Sequence, residues 1–289
     1  MILPSLAELI GMAPQASALP PVYHACRDIL EGRVAGTATG MASIISASPL
    51  HANRVLAMVN APSEGDATPI HTISRAVNLF GMQRIHDLVL ASCLAETLHP
   101  LVSVSKLKHF WRQSLRMAQG AKAAARVLRL RDPERPFVEG LLADIGLLLM
   151  WHADAAAMRQ VEAEAIGQAI PVNMRERACF GYDNADVARE LARAWGLPSA
   201  LMLALGGQHA PVDAAPHQLE AALLNLARSL ASVVPGTGST TLLSRDTLHI
   251  LGLEDEPTLS KLRREALEIP DWLPEALGLN EAPPARRAD

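Results

Sequence analysis

The sequence predicts an all-α protein made of two packed helical subdomains. Hydrophobic residues make up 49% of the 289-residue chain but aromatic residues only 3%, so alanine and leucine supply most of the packing. Such a composition favours helices, and no run shows the alternation of β-branched and polar residues that is typical of a half-buried strand. Pro100 separates two sets of amphipathic segments, which places the junction of the subdomains near residues 99–106.

Five helices are predicted for the first subdomain, residues 1–100. Proline and glycine mark several of their ends: Pro20-Pro21 opens the first helix, and Gly81 ends the helix within HTISRAVNLFG. Proline is favoured in the first turn of a helix and glycine just beyond the last turn. The predicted spans are about 21–31, 38–47, 49–59, 71–81 and 83–98.

The second predicted subdomain covers residues 101–235. It begins with a long helix over about 104–130, and a helix containing GLLADIG follows. Further helices are expected at about 154–168, 172–180, 184–195 and 198–206. A last helix has a buried face with helical spacing, made of Leu219, Leu223, Leu226, Leu230 and Val233. Residues 236–280 are predicted to form a C-terminal helical extension, and 281–289 a disordered tail.

Charge and cysteine usage exclude several classes of function. The formal net charge is −4, from 26 basic and 30 acidic residues, so we expect no general attraction to nucleic acid or to an anionic membrane. Cys26, Cys93 and Cys179 are far apart, as expected for reduced thiols that bind no metal. The N-terminus MILPSLAELI has no basic segment and does not predict a signal peptide. No apolar run approaches the ~20 residues of a membrane-spanning helix, so we expect a cytoplasmic protein.

GLLADIG places one acid, Asp144, in an otherwise apolar run that continues to Trp151. A buried carboxylate without a partner is costly. A metal, a substrate or a buried cation could each explain its presence. A simpler interpretation is a helix whose glycines allow close packing, with Asp144 held by a neighbouring donor.

The order of several motifs over about residues 14–235 resembles the HDOD family of bacterial signalling domains. The motifs are ALPPVYHACRDIL, MASIISASPLHANRVLAMVNAP, PIHTISRAVNLFGMQRIHDLVLAS, FWRQSLRMA, FVEGLLADIGLLL, CFGYDNADVARELARAWGLP and ALGGQHAP. HDOD domains are similar to HD phosphohydrolases whose metal-binding residues are lost or altered. The resemblance therefore implies that the second subdomain is a degenerate HD-domain helical bundle.

In the catalytic relatives, histidines and aspartates from separate helices converge on one or two metals, which activate water against a phosphate ester. The resemblance places those positions, in chain order, on Gln113, Ala143, Asp144, Asn184, Gln208, His209 and Arg228. Only one carboxylate and one imidazole remain, and amides are weak ligands for transition metals. An arginine at a ligand position adds a permanent positive charge where the cation would sit. We therefore expect a vestigial pocket with no catalytic residues, no metal and no cofactor.

His86-Asp87 is a literal HD dipeptide, but it falls in the first subdomain, away from these positions. We interpret it as a polar helix edge.

Three functions remain open. The leading hypothesis is a non-catalytic regulatory module that contacts signalling proteins, either as a stand-alone protein or as a fragment of a longer regulator. The second is a sensor that binds a nucleotide or another anion in the vestigial pocket, with Arg228 and His209 as donors. The third is a residual metal-dependent phosphohydrolase. For the first, we expect the partner surface in the groove between the subdomains or on the outer face of the first. Within the vestigial pocket, we expect Asp144 to be held by Arg228 or His209.

Overall fold

A computed structural model describes residues 4–12, 18–60, 69–98, 101, 103–232 and 243–268. All the regular structure within these ranges is helical, which confirms the predicted all-α class. The helices are α1 Leu6–Gly11, α2 Pro21–Leu30, α3 Ala38–Ser46, α4 Pro49–Val59, α5 Ile73–Phe80, α6 Met82–Leu98, α7 Val104–Val127, α8 Glu134–Leu142, α9 Ile145–Ala153, α10 Ala155–Gln168, α11 Val172–Phe180, α12 Asn184–Ala194, α13 Ser199–Gly207, α14 Gln218–Ala231, α15 Arg245–Leu251 and α16 Glu256–Leu267. A short 3-10 helix, Pro211–Asp213, precedes α14.

The helices form two compact units, one within Leu19–Lys108 and the other within Met1–Ala18 and His109–Ile269. The first unit contains α2 to α6. Its helix ends follow the local sequence signals. The Thr72 hydroxyl accepts a hydrogen bond from the Arg75 backbone N–H at the start of α5, as a side-chain N-cap does. Gly81 ends that helix at φ 83°, a backbone conformation that favours glycine.

The second unit is built around α9, α12 and α14. Helix α12 packs against α9 and α13, and α14 packs against α8, α13, α15 and α16. The Asp183 side chain caps α12 and forms a capping box with Asp186. Two glycines allow backbones to approach closely here. A Cβ at Gly140 would lie 2.6 Å from the Ala118 Cα atom, and one at Gly146 would lie 2.1 Å from the Asn184 carbonyl oxygen.

The observed division differs from the expected one at three places. The boundary falls between Lys108 and His109, inside α7, rather than near residue 100. Helix α1 belongs to the second unit, where it packs against α9 and α12. Helices α15 and α16 pack on α14 in the same apolar core, so they are part of this unit rather than a separate extension. The predicted disordered tail, 281–289, lies outside the described residues.

The segment containing GLLADIG differs from the single helix that its apolar pattern predicts. Helix α8 ends at Leu142, and Asp144 stands at the N-cap position of α9 with φ −104° and ψ 9°. The Asp144 side chain accepts no capping hydrogen bond from α9. The break in the helix therefore leaves this carboxylate free to bond elsewhere.

The expectation that no apolar run approaches the length of a membrane span is wrong for the segment Arg135–Ala153. These 19 residues have a mean hydropathy of 1.2 and are long enough to cross a bilayer. In the structure, 78% of the apolar window is buried inside the protein. This is the environment of a core helix in a soluble protein, so length and composition alone are weak evidence for a membrane segment.

Candidate functional site

The centre of the second unit contains a buried ion pair between Asp144, at the start of α9, and Arg228, on α14. The Arg228 Nη2 atom donates to the Asp144 Oδ1 atom at 2.5 Å. The exposed fractions of the two side chains are 13% for Arg228 and 4% for Asp144. A guanidinium thus supplies the cation that an acid in an apolar run requires. The expected contact between Asp144 and Arg228 is confirmed by this geometry.

Asn184 and His209 extend this pair toward the surface of the unit. The Asn184 Nδ2 atom donates to Asp144 Oδ1 at 3.1 Å. The Asn184 Oδ1 atom lies 2.9 Å from His209 Nε2. His209 therefore contacts the carboxylate through Asn184 rather than directly.

Gln208 contacts Arg228, the basic member of the ion pair. Its Oε1 atom accepts a hydrogen bond from Arg228 Nη2 at 2.6 Å, and its Nε2 atom donates to the Ala143 carbonyl oxygen at 2.8 Å. Asn225 donates from Nδ2 to the Gln208 carbonyl oxygen at 2.8 Å and accepts from the Thr247 hydroxyl at 2.8 Å. These bonds connect α14 to both α13 and α15.

We call this set the Asp144 cluster. Its members are Ala143, Asp144, Asn184, Gln208, His209 and Arg228. The structure thus brings together six of the seven positions that the resemblance assigns. The seventh, Gln113, is half-buried on α7, and no hydrogen bond among the described residues joins it to the cluster.

His86 differs from its predicted position, because it is buried rather than at a polar helix edge. Its ring centroid lies 5.0 Å from that of Tyr23, and its Nδ1 atom lies 3.4 Å from the Asp87 carboxylate. The apolar environment comes from the core of the first unit, which the dipeptide alone does not reveal. His86 and Asp87 belong to the unit that does not contain the Asp144 cluster.

Glu176, on α11, is another buried acid, and sequence reasoning missed it. Its Oε2 atom accepts a hydrogen bond from the Asn184 backbone N–H at 2.8 Å. Burial raises the pKa of Glu176 to about 8, and the nearby Asp183 and Asp144 act in the same direction. Glu176 lies in the polar segment NMRER, so its sequence context gives no signal of burial.

His209 has its pKa lowered well below the usual value. The main cause is burial, and the positive charges of Arg228 and Arg177 add to it. The imidazole is therefore neutral near pH 7 and can offer one N–H donor and one lone-pair acceptor.

A cleft of about 460 Å³ opens beside His209, between α11, α12, α13 and the short 3-10 helix. Its polar lining includes Asn173, Arg177, Asp183, Arg189, His209 and Asp213. The cleft is within the size range of small-molecule sites, roughly 300–1,000 Å³. Arg228 and Asp144 do not line it.

The donor atoms of the Asp144 cluster do not suit a catalytic metal. Its carboxylate is paired with a guanidinium, and its other side-chain oxygens are amides, which bind transition metals weakly. Among the described residues, no group of three or more His, Cys, Asp or Glu side chains could hold a metal ion.

Comparisons with solved structures place this fold among known helical proteins. A Shewanella amazonensis SB2B protein, provisionally named a phosphohydrolase, shares 24% identity over 95% of this chain and 97% of its own, with a TM-score of 0.71. An HDOD domain protein of unknown function from Geobacter sulfurreducens shares 20% identity over 94% and 91%, with a TM-score of 0.67. A Marinobacter aquaeolei VT8 protein, provisionally named a signal transduction protein, shares 22% identity and has a TM-score of 0.69. That match covers 96% of this chain and 62% of the other.

At these identities, the structural matches establish the fold alone. No curated protein matches the sequence at a significant level. The family model of the HDOD domain matches residues 17–211, which is more than half of the chain. The chain therefore belongs to the HDOD domain family.

Proposed function

We propose that this protein is a regulatory module that hydrolyses no phosphate ester itself and acts through contacts with signalling proteins. The observation that most supports this proposal is the Arg228–Asp144 ion pair. A guanidinium stays protonated at any physiological pH. It therefore neutralises the carboxylate permanently and places a positive charge beside it, where a metal ion would be repelled.

The remaining cluster residues support the same conclusion. A hydrolytic metal site needs about three good protein ligands and an open coordination position. Ala143 offers no side-chain ligand, and Asn184 and Gln208 offer amides that are already hydrogen-bonded within the cluster. Only the His209 imidazole is a strong ligand type, and its Nε2 atom is bonded to Asn184.

Two comparisons support a regulatory role: the match to the family and the name of one similar protein. The HDOD match supports a signalling role for this chain. The Marinobacter protein is provisionally named a signal transduction protein, whereas the Shewanella protein is provisionally named a phosphohydrolase. Because these names differ, activity has to be tested directly.

The activity test incubates the purified protein with Mn²⁺ or Ni²⁺ and the general substrate bis(p-nitrophenyl) phosphate. We expect no hydrolysis above that of the heat-denatured protein and no heat of binding for either metal. Asp144→Ala should give the same result, and Asp87→Ala tests the other HD pair in the same way. Metal-dependent hydrolysis by the wild-type protein would refute the proposal, and its loss in Asp144→Ala or in Asp87→Ala would show which of the two HD positions it depends on.

The contact part of the proposal concerns the first unit, because its exposed face is one of the two expected partner surfaces. Leu79 on α5 is an apolar side chain with an exposed fraction of 61%, so its substitution changes this face without disturbing the core. Ile166 on α10 is 66% exposed in the other unit and is a matched control.

The contact test compares affinity capture from native cells by the wild type, Leu79→Ser and Ile166→Ser. We expect Leu79→Ser to lose a defined set of captured proteins that Ile166→Ser retains. Equal capture by all three proteins would rule out this face.

A further inference from the structure

We propose that the cleft beside His209 binds a small phosphorylated molecule that also carries N–H or O–H donors. The site lies next to the Asp144 cluster but uses different side chains. It needs no catalytic activity and no protein partner, so it stands independently of the regulatory function proposed above.

Arg189 supplies the first group for an anion. Its Nη2 atom is 3.5 Å from Asp186 Oδ1, and its Nε atom is 3.7 Å from Glu190 Oε1. Both are long ion pairs, and no hydrogen bond within the described part of the chain occupies the Arg189 guanidinium. A Cβ at Gly206 would lie 2.8 Å from the Arg189 Cδ atom. The glycine on α13 therefore leaves room for the arginine stem to lie along the wall of the cleft.

Arg177 supplies a second cationic group. Its Nη2 atom donates to Asp183 Oδ2 at 2.7 Å and to Asp186 Oδ2 at 2.8 Å. Its side chain is 56% exposed, and its Nη1 and Nε atoms form no hydrogen bond with another described residue. Guanidinium groups with free N–H donors are suited to phosphate oxygens.

Asp183 lines the cleft, but both of its carboxylate oxygens already accept hydrogen bonds. Its Oδ1 atom accepts from the backbone N–H groups of Ala185 and Asp186, and its Oδ2 atom accepts from Arg177. Asp213, on the 3-10 helix, is exposed and accepts no hydrogen bond from the described residues. The cleft therefore combines arginine donors with a free carboxylate acceptor.

His209 adds a second acceptor, and the Asp144 cluster determines which of its nitrogens that is. Asp144 Oδ1 accepts a hydrogen bond from Arg228, and the Asn184 amide turns its Nδ2 donor toward the same oxygen. The Asn184 Oδ1 atom then faces His209, whose Nε2 atom must carry the proton and donate. This leaves the lone pair on Nδ1, where no hydrogen bond to a described residue occurs.

The arginine donors and the two acceptors, Asp213 and His209, together define the chemistry of the ligand. An anion alone would satisfy the arginines but would face the lone pairs of Asp213 and His209. A phosphate on a molecule with hydroxyl or amine donors satisfies both. Sugar phosphates and nucleotides share this chemistry, and the experiment below distinguishes them.

The binding test uses isothermal titration of the purified chain with sodium sulfate, glucose 6-phosphate, guanosine 5′-monophosphate and guanosine, in the presence of EDTA. We expect glucose 6-phosphate or guanosine 5′-monophosphate to bind at least tenfold more tightly than sulfate, and guanosine not to bind. Binding of one phosphorylated probe alone identifies the source as a sugar or a nucleotide. Failure of both, or sulfate binding as tightly, would overturn the proposal.

Three variants locate the site. Arg189→Gln should weaken binding about tenfold, the effect of losing one charge-assisted hydrogen bond. His209→Gln keeps an N–H donor for Asn184 but replaces the ring Nδ1 acceptor by an amide oxygen in a different position, and a similar loss is expected. Arg193→Gln is the matched control, because Arg193 lies on the same helix and pairs with Glu190 outside the cleft. Equal effects of Arg189→Gln and Arg193→Gln would overturn the assignment.

The probe is recovered after titration and checked for hydrolysis. Intact probe with specific binding supports the ligand site, whereas its hydrolysis would contradict only the proposed lack of activity. Circular dichroism of each variant shows that a loss of binding does not come from unfolding.

Discussion

Arg228 Nη2 lies 2.5 Å from Asp144 Oδ1, across 84 residues of sequence and between two helices of the same unit. The same nitrogen also donates to Gln208 Oε1 at 2.6 Å. One guanidinium thus serves the carboxylate at the start of α9 and the amide at the end of α13. A side chain with this role is a structural crosslink between α9, α13 and α14.

Asp144→Ala is predicted to destabilise the second unit. It leaves Arg228 largely buried without its anion, which typically costs ~3–5 kcal/mol when one partner of a buried pair is removed. Urea unfolding followed by circular dichroism measures the effect. The double variant Asp144→Ala/Arg228→Met should recover part of the loss because it removes the unpaired cation. A loss below about 1 kcal/mol for the single variant would be typical of an exposed pair and would contradict this prediction.

Local signals explain why most helix boundaries could be predicted from the sequence. Gly81 has φ 83° at the end of α5, and Asp183 caps α12 through its own side chain. Each signal acts within a few residues of the boundary that it sets. By contrast, the partners of Asp144 at the break between α8 and α9 are Arg228 and Asn184, which are distant in sequence. The apolar pattern around Asp144 contains no sign of them and predicts one continuous helix.

The candidate site could be predicted only in part for the same reason. The resemblance indicated six residues that the structure brings together. The expected contact of Asp144 with Arg228 is confirmed, whereas the bonds of Gln208 to Arg228 and to the Ala143 carbonyl oxygen were not predicted. Gln113 was assigned by position in a motif, and its helix does not bring it into hydrogen-bond contact with the cluster. Contacts between α11 and α12 determine the surroundings of Glu176 and of the cleft arginines. Neither hydrophobic periodicity nor charge patterning predicts these contacts.

Gly146→Ala is predicted to be strongly destabilising, because its Cβ atom would lie 2.1 Å from the Asn184 carbonyl oxygen. The neighbour is backbone, so α9 and α12 must move apart, at a cost of at least ~1–3 kcal/mol for an overpacked core. Gly167→Ala on α10 is the control, since its Cβ would meet nothing within 4 Å. The control should be neutral or gain up to about 1 kcal/mol from helix propensity. Thermal unfolding of both variants checks the contrast, and equal melting temperatures would be inconsistent with close packing at Gly146.

Thr247→Val is predicted to destabilise the chain, although the two side chains have nearly the same shape. Thr247 is fully buried on α15, and its hydroxyl donates to Asn225 Oδ1 at 2.8 Å. The variant leaves a buried amide oxygen without that donor, at a cost of ~1–3 kcal/mol. Thr39→Val, at an exposed position on α3, should change the free energy of unfolding by less than about 0.5 kcal/mol. A similar small effect for both variants would mean that α15 is not joined to α14 in the way described.

Glu176 is predicted to make the protein less stable as the pH rises toward 8. Its folded pKa is about 8 and its usual value is 4.5. The folded state therefore keeps a proton that the unfolded state releases, and stability falls between these two values by up to about 1.4 kcal/mol per pH unit. His209 has the opposite sign, because its folded pKa lies below the usual 6.5. Its contribution is complete above pH 6.5 and is lost only as the pH falls through its folded pKa.

The range from pH 6.5 to 8 therefore isolates Glu176, because it lies above the usual pKa of histidine and below that of the buried thiols Cys26 and Cys93, whose pKa values burial raises. Unfolding by urea at several values between pH 6.5 and 8 should show a stability that declines steadily. Glu176→Gln has no ionisable group but keeps an oxygen that can accept from the Asn184 backbone N–H, so it should remove most of this slope. Glu190→Gln, at the partly exposed acid that pairs with Arg193 on α12, should leave the slope unchanged. A wild-type stability that is flat from pH 6.5 to 8, or a slope that persists in Glu176→Gln, would show that Glu176 is ionised in the folded protein at neutral pH.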